Sequence, residues 1–320
     1  MRSTSVLLSA ALLGAVLSVA IRKPQQLNSW AYDDSFARYK MLSFACSTYA
    51  TDANLCFKTA YPNGGNNTVT KRIEVGCDAS KSVHCNGLTA VTHTDKAIIV
   101  VFRGTDQFTQ LIQESLKTII GAEEFIAGGY VSQYFYNAFK SVWHGEGSIT
   151  GLEEEFLSLR KQFPDYEVWV TGHSLGGAMA SLCAATVVHL GQANPQKLKL
   201  MTFGQPRVGD QKFADAHDAL IPFSYRVVHN LDIVPHVPPE FLPDHSLFDG
   251  YRHHKSEVWY PNKMRVDDSY SVCNEDEGNK CSDGSWLPEL SVFDHVHYFQ
   301  SSEMITDFGE DGCPRSMTDK

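Results

Sequence analysis

The sequence of 320 residues predicts an α/β fold: a central, mostly parallel sheet flanked by helices. Three observations predict it. Apolar runs of strand length alternate along the chain with segments at helical spacing, a rhythm that sets parallel strands side by side. One of these runs, Ala97 to Phe102, is apolar throughout, as strands covered on both faces are. A Gly-x-Ser-x-Gly pentapeptide, Gly172 to Gly176, stands where another such strand gives way to a helix.

In chain order, Met1 to Ala20 opens with Arg2, continues through an apolar run from Val6 to Val19 and ends with small residues at Ser18 and Ala20. That is the pattern of a secretory signal peptide, and the run is shorter than the ~20 residues a membrane-spanning helix needs. The expectation is an exported chain with residues 21–320 as a single domain, since no repeat, linker or shift in composition divides it. Asp33 can cap a first helix carrying Met41, Phe44, Ala45 and Tyr49 on one face. After turn residues at Pro62, Gly64 and Gly65, strands are expected at Thr68 to Val75, Leu88 to His93 and Ala97 to Phe102. Tyr134, Phe135, Ala138, Phe139, Val142 and Trp143 mark a helix, and Thr150 with Glu153 reads as a capping box for the next, which stops before Pro164. Beyond the pentapeptide come a strand at Leu198 to Phe203, a helix capped by Asp210, a strand at Phe223 to His229 and an edge strand running from Tyr251 towards Trp259.

A formal net charge of −10 argues against nucleic acid and against adsorption to anionic lipid, and leaves neutral surfaces open. Export makes disulfides the expected state of most of the eight cysteines. Spacing favours the local pairs Cys77 with Cys85 and Cys273 with Cys281, and Cys313 returns to Cys46 or Cys56. Cys183 falls on a buried helix face, where an unreactive thiol is the common state. Asn66 begins an Asn-Asn-Thr glycosylation sequon in a Gly/Asn-rich surface stretch.

Composition alone produces a Gly-x-Ser-x-Gly about once in ten chains of this length, so its setting carries the reading. Tyr166 to Thr171 is a strand pattern, and Ala178, Met179, Leu182, Cys183 and Ala185 recur at helical spacing after it. A serine on so sharp a strand-to-helix turn is a nucleophile elbow, with its hydroxyl exposed over the helix N-terminus. Such a site needs donors for an oxyanion. Leu175 follows the nucleophile, and the strand Ala97 to Phe102 runs out into Arg103-Gly104-Thr105-Asp106, where Thr105 reads at least as readily as a capped strand end as it does as the second donor. Directly after it Phe108, Leu111, Ile112, Leu116, Ile119 and Ile120 form an apolar stripe. By pattern alone this is a half-buried helix, and by position it is a helical lid over the site. The orienting acid must follow the serine. Asp232 lies just past a strand in a proline-stiffened loop, whereas Asp210 is explained by capping. For the base, His236, His245, His253, His254, His295 and His297 are available, and spacing does not separate them.

Six stretches, VFRGT from Val101, PDYEVWVTGHSLGGAMA from Pro164, TFGQPRVGD from Thr202, NLDIVPHVPP from Asn230, YRHHKSEVWY from Tyr251 and HVHYF from His295, together resemble the fungal-type class 3 lipase family. The resemblance spans nearly the whole mature chain. It implies an α/β-hydrolase fold and a triad of Ser174, Asp232 and His295, the family's H-x-x-Y-F pattern choosing His295 over His297. It further implies an oxyanion hole at Thr105 and Leu175, a lid at residues 107–120, and no metal or organic cofactor. Two features depart from the fungal pattern and bear on acyl-chain preference: the lid stretch has no Trp, and the Cys273 to Cys281 insertion is not expected there.

The resulting expectation is a secreted, monomeric triacylglycerol lipase acting on neutral lipid or a lipid–water interface, with no membrane anchor. A phospholipase A1 or a feruloyl-type carboxylesterase would keep the same triad, and a non-catalytic lipid-binding protein would keep only the fold.

Overall fold

Two neighbouring β-strands decide the layering of this protein, because their side chains alternate between two helical layers. The computed structural model describes residues 31–77, 84–104, 121–241, 250–284 and 290–299, with Ile305 and Cys313. Its main sheet has eight strands lying side by side in chain order: β1 (Asn67–Gly76), β2 (His84–Thr92), β3 (Ala97–Phe102), β4 (Glu167–His173), β5 (Leu198–Phe203), β6 (Ser224–His229), β7 (Glu257–Tyr260) and β8 (Ser271–Cys273). From β3 to β7 the pairs are parallel, and the outer pairs are antiparallel. All six residues of β3 are buried, as a strand covered on both faces requires.

In β4, Val168 and Val170 join a core with Phe135, Phe139, Trp143 and Phe156, supplied by α3 (Gln133–His144) and α4 (Leu152–Gln162). Trp169 points the other way, edge-on to Phe36 at 4.8 Å and near Phe44 of α1 (Leu42–Ser47). Helices therefore cover both faces. Between β4 and the α3 layer runs α5 (Leu175–His189), buried along all but its last residue. It can pack against β3, β4 and β5 at once because Gly176, Gly177, Ala178, Ala180, Ala184 and Ala185 keep its surface thin. The remaining α-helices among the described residues are α2 (Ala53–Ala60), α6 (Gln211–Leu220) and the short α7 (Val292–Val296).

Several expectations shift. Asp33 does cap the first helix, its Oδ1 accepting from Phe36 N at 2.8 Å, yet Phe36–Met41 is π-helical before α1 begins. The buried Arg38 lies there, its guanidinium bonded to Asp34 and to the Met264 carbonyl. The capping box at Thr150 and Glu153 does not form. Gly151 is the N-cap of α4, so close to the Trp143 carbonyl that a Cβ would sit 2.1 Å from it, and Glu153 bonds to His144 and Gln192 instead. The stretch from Tyr251 is strand only over Glu257–Tyr260, and it is not the edge, because β8 pairs outside it.

The Cys273–Cys281 disulfide closes the loop after β8, and Cys77–Cys85 ties β1 to β2. Cys313 pairs with Cys56, leaving Cys46 and Cys183 as buried thiols. The loop closed by Cys281 also reaches inward. Glu277 and Asp283 bond the buried Arg207 guanidinium at 2.9 Å each, and Arg207 Nη1 donates to the Pro238 carbonyl.

Candidate active site

Ser174 sits between the last residue of β4 and the first of α5, with φ 61° and ψ −130°. A non-glycine residue with positive φ is strained, and strain of this kind concentrates at functional turns. Two glycines hold the serine there. A Cβ on Gly172 would lie 2.3 Å from the Gly176 carbonyl oxygen, and one on Gly176 would lie 2.2 Å from the Phe102 carbonyl oxygen, so only hydrogens let strand and helix approach. Ser174 Oγ is buried and has no hydrogen-bond partner among the described residues. Leu175 opens α5, and a first helical N–H has no acceptor within its own helix.

Asp232 follows β6 and is fully buried. Its carboxylate takes His295 Nδ1 at 2.9 and 3.0 Å, the Tyr298 hydroxyl at 2.7 Å and the Val234 N–H at 2.9 Å. Burial pushes the carboxyl pKa up. The His295 imidazole, the Tyr298 hydroxyl and the Val234 N–H outweigh it and hold the group below the ordinary carboxylate value. Tyr298 is driven the other way, by burial first and then by the Asp232 charge, so its hydroxyl stays a donor. With Nδ1–H committed to Asp232, His295 keeps Nε2 as its bare nitrogen. Gly204, at φ +56°, closes the back of the pair: a Cβ there would meet Asp232 Oδ2 at 2.7 Å and His295 Nδ1 at 2.8 Å.

The structure thus places Asp232 and His295 in one hydrogen-bonded unit, and the His295 ring stacks on His173, the residue before Ser174, at 4.5 Å. The other candidate bases among the described residues are occupied elsewhere. His253 bonds the Pro235 carbonyl, His254 lies against Gln205 and the Lys255 carbonyl, His236 faces Asp283, and His297 bonds the Phe293 carbonyl. Asp210 caps α6, accepting from Phe213 N. Asn66 is exposed just ahead of β1. Thr105, the residues Phe108, Leu111, Ile112 and Leu116 expected in a lid, His245 and the expected signal peptide lie outside the described residues. Sequence reasoning assigned no role to Gly204, Tyr298 or His173, although all three sit inside the quoted motifs.

Among the described residues two groups bring metal-type ligands close together. The His217 and His254 rings stack at 3.6 Å near Asp218, and both His254 nitrogens already have partners, Nε2 at Gln205 and Nδ1 at the Lys255 carbonyl. Glu240, Glu277 and Asp283 already surround Arg207, whose guanidinium takes the place a cation would hold.

A serine on a strained strand-to-helix turn of a mostly parallel sheet, with a buried acid–imidazole pair from later loops, is the architecture of an α/β-hydrolase. The chain belongs to the class 3 lipase family. The Lipase (class 3) family model matches residues 99–242. A Caenorhabditis elegans lipase is 36% identical over 90% of this chain and 85% of its own length. A Rhizomucor miehei lipase is 35% identical over 67% of this chain, which spans 55% of that protein. Among solved structures, a triacylglycerol lipase whose catalytic centre is a serine protease triad superposes with a TM-score of 0.66 at 27% identity, covering 83% of this chain and 93% of that one. The protein is accordingly an enzyme of the carboxylic ester hydrolase class. Among the described residues no helix is long and apolar enough to cross a membrane, and the three disulfides are compatible with export.

Proposed function

We propose that the protein is a secreted triacylglycerol lipase that cleaves fatty-acyl esters of glycerol through an acyl-enzyme. The observation that carries this is the buried bond between His295 Nδ1 and Asp232, with the His295 ring stacked on His173, the residue before a serine held at positive φ. His295 Nε2 takes the Ser174 proton as Oγ attacks the ester carbonyl, and Asp232 holds the tautomer and balances the imidazolium. The amides of Leu175 and Thr105 receive the oxyanion. The glycerol oxygen leaves with the proton from His295. Water, deprotonated by the same imidazole, then releases the fatty acid and restores Ser174. Residues 107–120 form the lid, whose apolar stripe meets the lipid surface when it opens. In this reading residues 1–20 are removed on export, residues 21–320 act as one monomeric domain, and Asn66 carries a glycan.

The test sets Ser174→Ala beside the wild type on emulsified long-chain triglyceride, soluble tributyrin and phosphatidylcholine. The wild type is expected to be fastest on the emulsion, with its rate rising across the solubility limit, and the variant to lose at least ~10³-fold. Wild-type rates from the variant would refute the assigned nucleophile, and a preference for phosphatidylcholine would refute the assigned substrate.

A further inference from the structure

We infer that Tyr49 and His173 are positioning residues: they form one directed chain of hydrogen bonds that ties the strand end leading to the oxyanion loop to the main chain of the general base. This rests on the roles assigned above to Thr105, Ser174 and His295.

Three bonds make the chain. Gly104 N–H lies 3.1 Å from the Tyr49 hydroxyl oxygen, that hydroxyl lies 3.0 Å from His173 Nδ1, and His173 Nε2 lies 2.8 Å from the His295 carbonyl oxygen. Their direction follows from chemistry alone. A carbonyl only accepts, so His173 Nε2 carries the hydrogen. His173 is buried, and burial, followed by the neighbouring His295, pushes its pKa down to about 3. The ring is therefore neutral and Nδ1 is bare. Tyr49 must donate to it, and the lone pairs of the same hydroxyl accept from Gly104 N–H.

Packing around the chain is close. A Cβ on Gly104 would fall 2.5 Å from the Tyr49 oxygen and 3.0 Å from Ser174 Cβ, so hydroxyl, strand end and serine share one small volume. The neutral His173 ring also lies face to face with His295 at 4.5 Å and 28°. A neutral π-face suits the imidazolium that forms on His295, where a charged ring would repel it. Tyr49 comes from the turn after α1, His173 from β4, Gly104 from the end of β3 and His295 from α7. The chain thus joins four segments that are distant in sequence, and it fixes the spacing between the donor side of the site and the base. Ground-state binding of the ester needs none of this, so the effect belongs in kcat rather than KM.

The experiment measures kcat and KM on a soluble p-nitrophenyl butyrate for the wild type, Tyr49→Phe, His173→Phe, the double variant and Ser174→Ala, with thermal melting of each. Tyr49→Phe keeps the ring and loses the hydroxyl. Its kcat is expected to fall about tenfold with KM within about twofold. His173→Phe should fall at least as far, and the double variant no further than His173→Phe alone, because one break already opens the chain. If His173→Phe does not fold, His173→Leu, which likewise has neither ring nitrogen, replaces it in the cycle. A Tyr49→Phe enzyme with wild-type kcat, or a double variant whose loss is the product of the single losses, overturns the inference. Ser174→Ala separates the two levels: an inactive Ser174→Ala beside an unaffected Tyr49→Phe sinks only the positioning chain, and an active Ser174→Ala sinks the site assignment itself.

Discussion

Gly204→Ala tests how tightly the acid and base are held. The added methyl carbon would stand 2.7 Å from Asp232 Oδ2 and 2.8 Å from His295 Nδ1, about 0.7 Å inside the nearest comfortable contact. Neither neighbour can yield cheaply. The Asp232 carboxylate is held by three groups, and the His295 ring lies against His173. Alanine at φ +56° adds about 1–2 kcal/mol of backbone strain. Displacing reacting groups by something under 1 Å costs up to about 10²-fold in rate. We expect Gly204→Ala to lose about 10²-fold in kcat on a soluble ester, with KM changed less than threefold and the melting temperature a few degrees lower. Labelling by a fluorophosphonate should slow in proportion, since it needs the same base. An enzyme with wild-type kcat and labelling rate would show that the acid–base pair does not need its present spacing.

Tyr298→Phe removes one donor from a buried carboxylate and should lower kcat about tenfold. It should also raise the Asp232 pKa, so the stability contributed by this buried carboxylate is lost at a higher pH than in the wild type, and an unmoved acid-unfolding midpoint contradicts this. Stability should fall in acid. His173 and His254 have folded pKa values of about 3, far below the ~6.5 of an unfolded histidine, through burial first and then through His295 and Arg226 respectively. Between those values the unfolded chain takes up protons that the folded chain refuses. Their contribution is therefore complete above about pH 6.5 and is lost as pH falls, by roughly 1.4 kcal/mol per pH unit per histidine. The depressed carboxyl of Asp232 acts in the same direction. Urea denaturation at pH 7, 5.5 and 4 measures the slope, and equal unfolding free energies at all three would exclude it.

Local pattern carried the fold a long way. The apolar run at Ala97 to Phe102 and the strand at Leu198 to Phe203 have the bounds expected, because buried strands declare themselves by composition. Asp210 caps as expected, since capping is decided within one turn. Where neighbours in space decided, pattern misled. Thr150 has the right partner three residues on, but the chain pinches at Gly151 against Trp143, and the cap moves. His253 and His254 look like strand residues and are instead packed against Pro235 and Gln205. The site divides in the same way. The elbow is a local motif, and Asp232 and His295 could be shortlisted by chain order. Gly204, Tyr298 and Tyr49 matter only because folding brings them beside groups tens to hundreds of residues away.

The guanidinium of Arg207 ties the Cys273–Cys281 loop to the interior of the protein. It is 3% exposed and answered by acids from the Cys273–Cys281 loop and the turn beyond it, while it grips the Pro238 carbonyl downstream of Asp232. Excising that loop alone would remove Glu277, one of the two acids bonded to this buried cation at 2.9 Å, and breaking such a buried arrangement costs several kcal/mol. In this chain the loop therefore supplies an acid for a cation that the TFGQPRVGD stretch buries. A surface insertion that looks optional at the rim of the sheet is in this way tied to the segment that carries the acid.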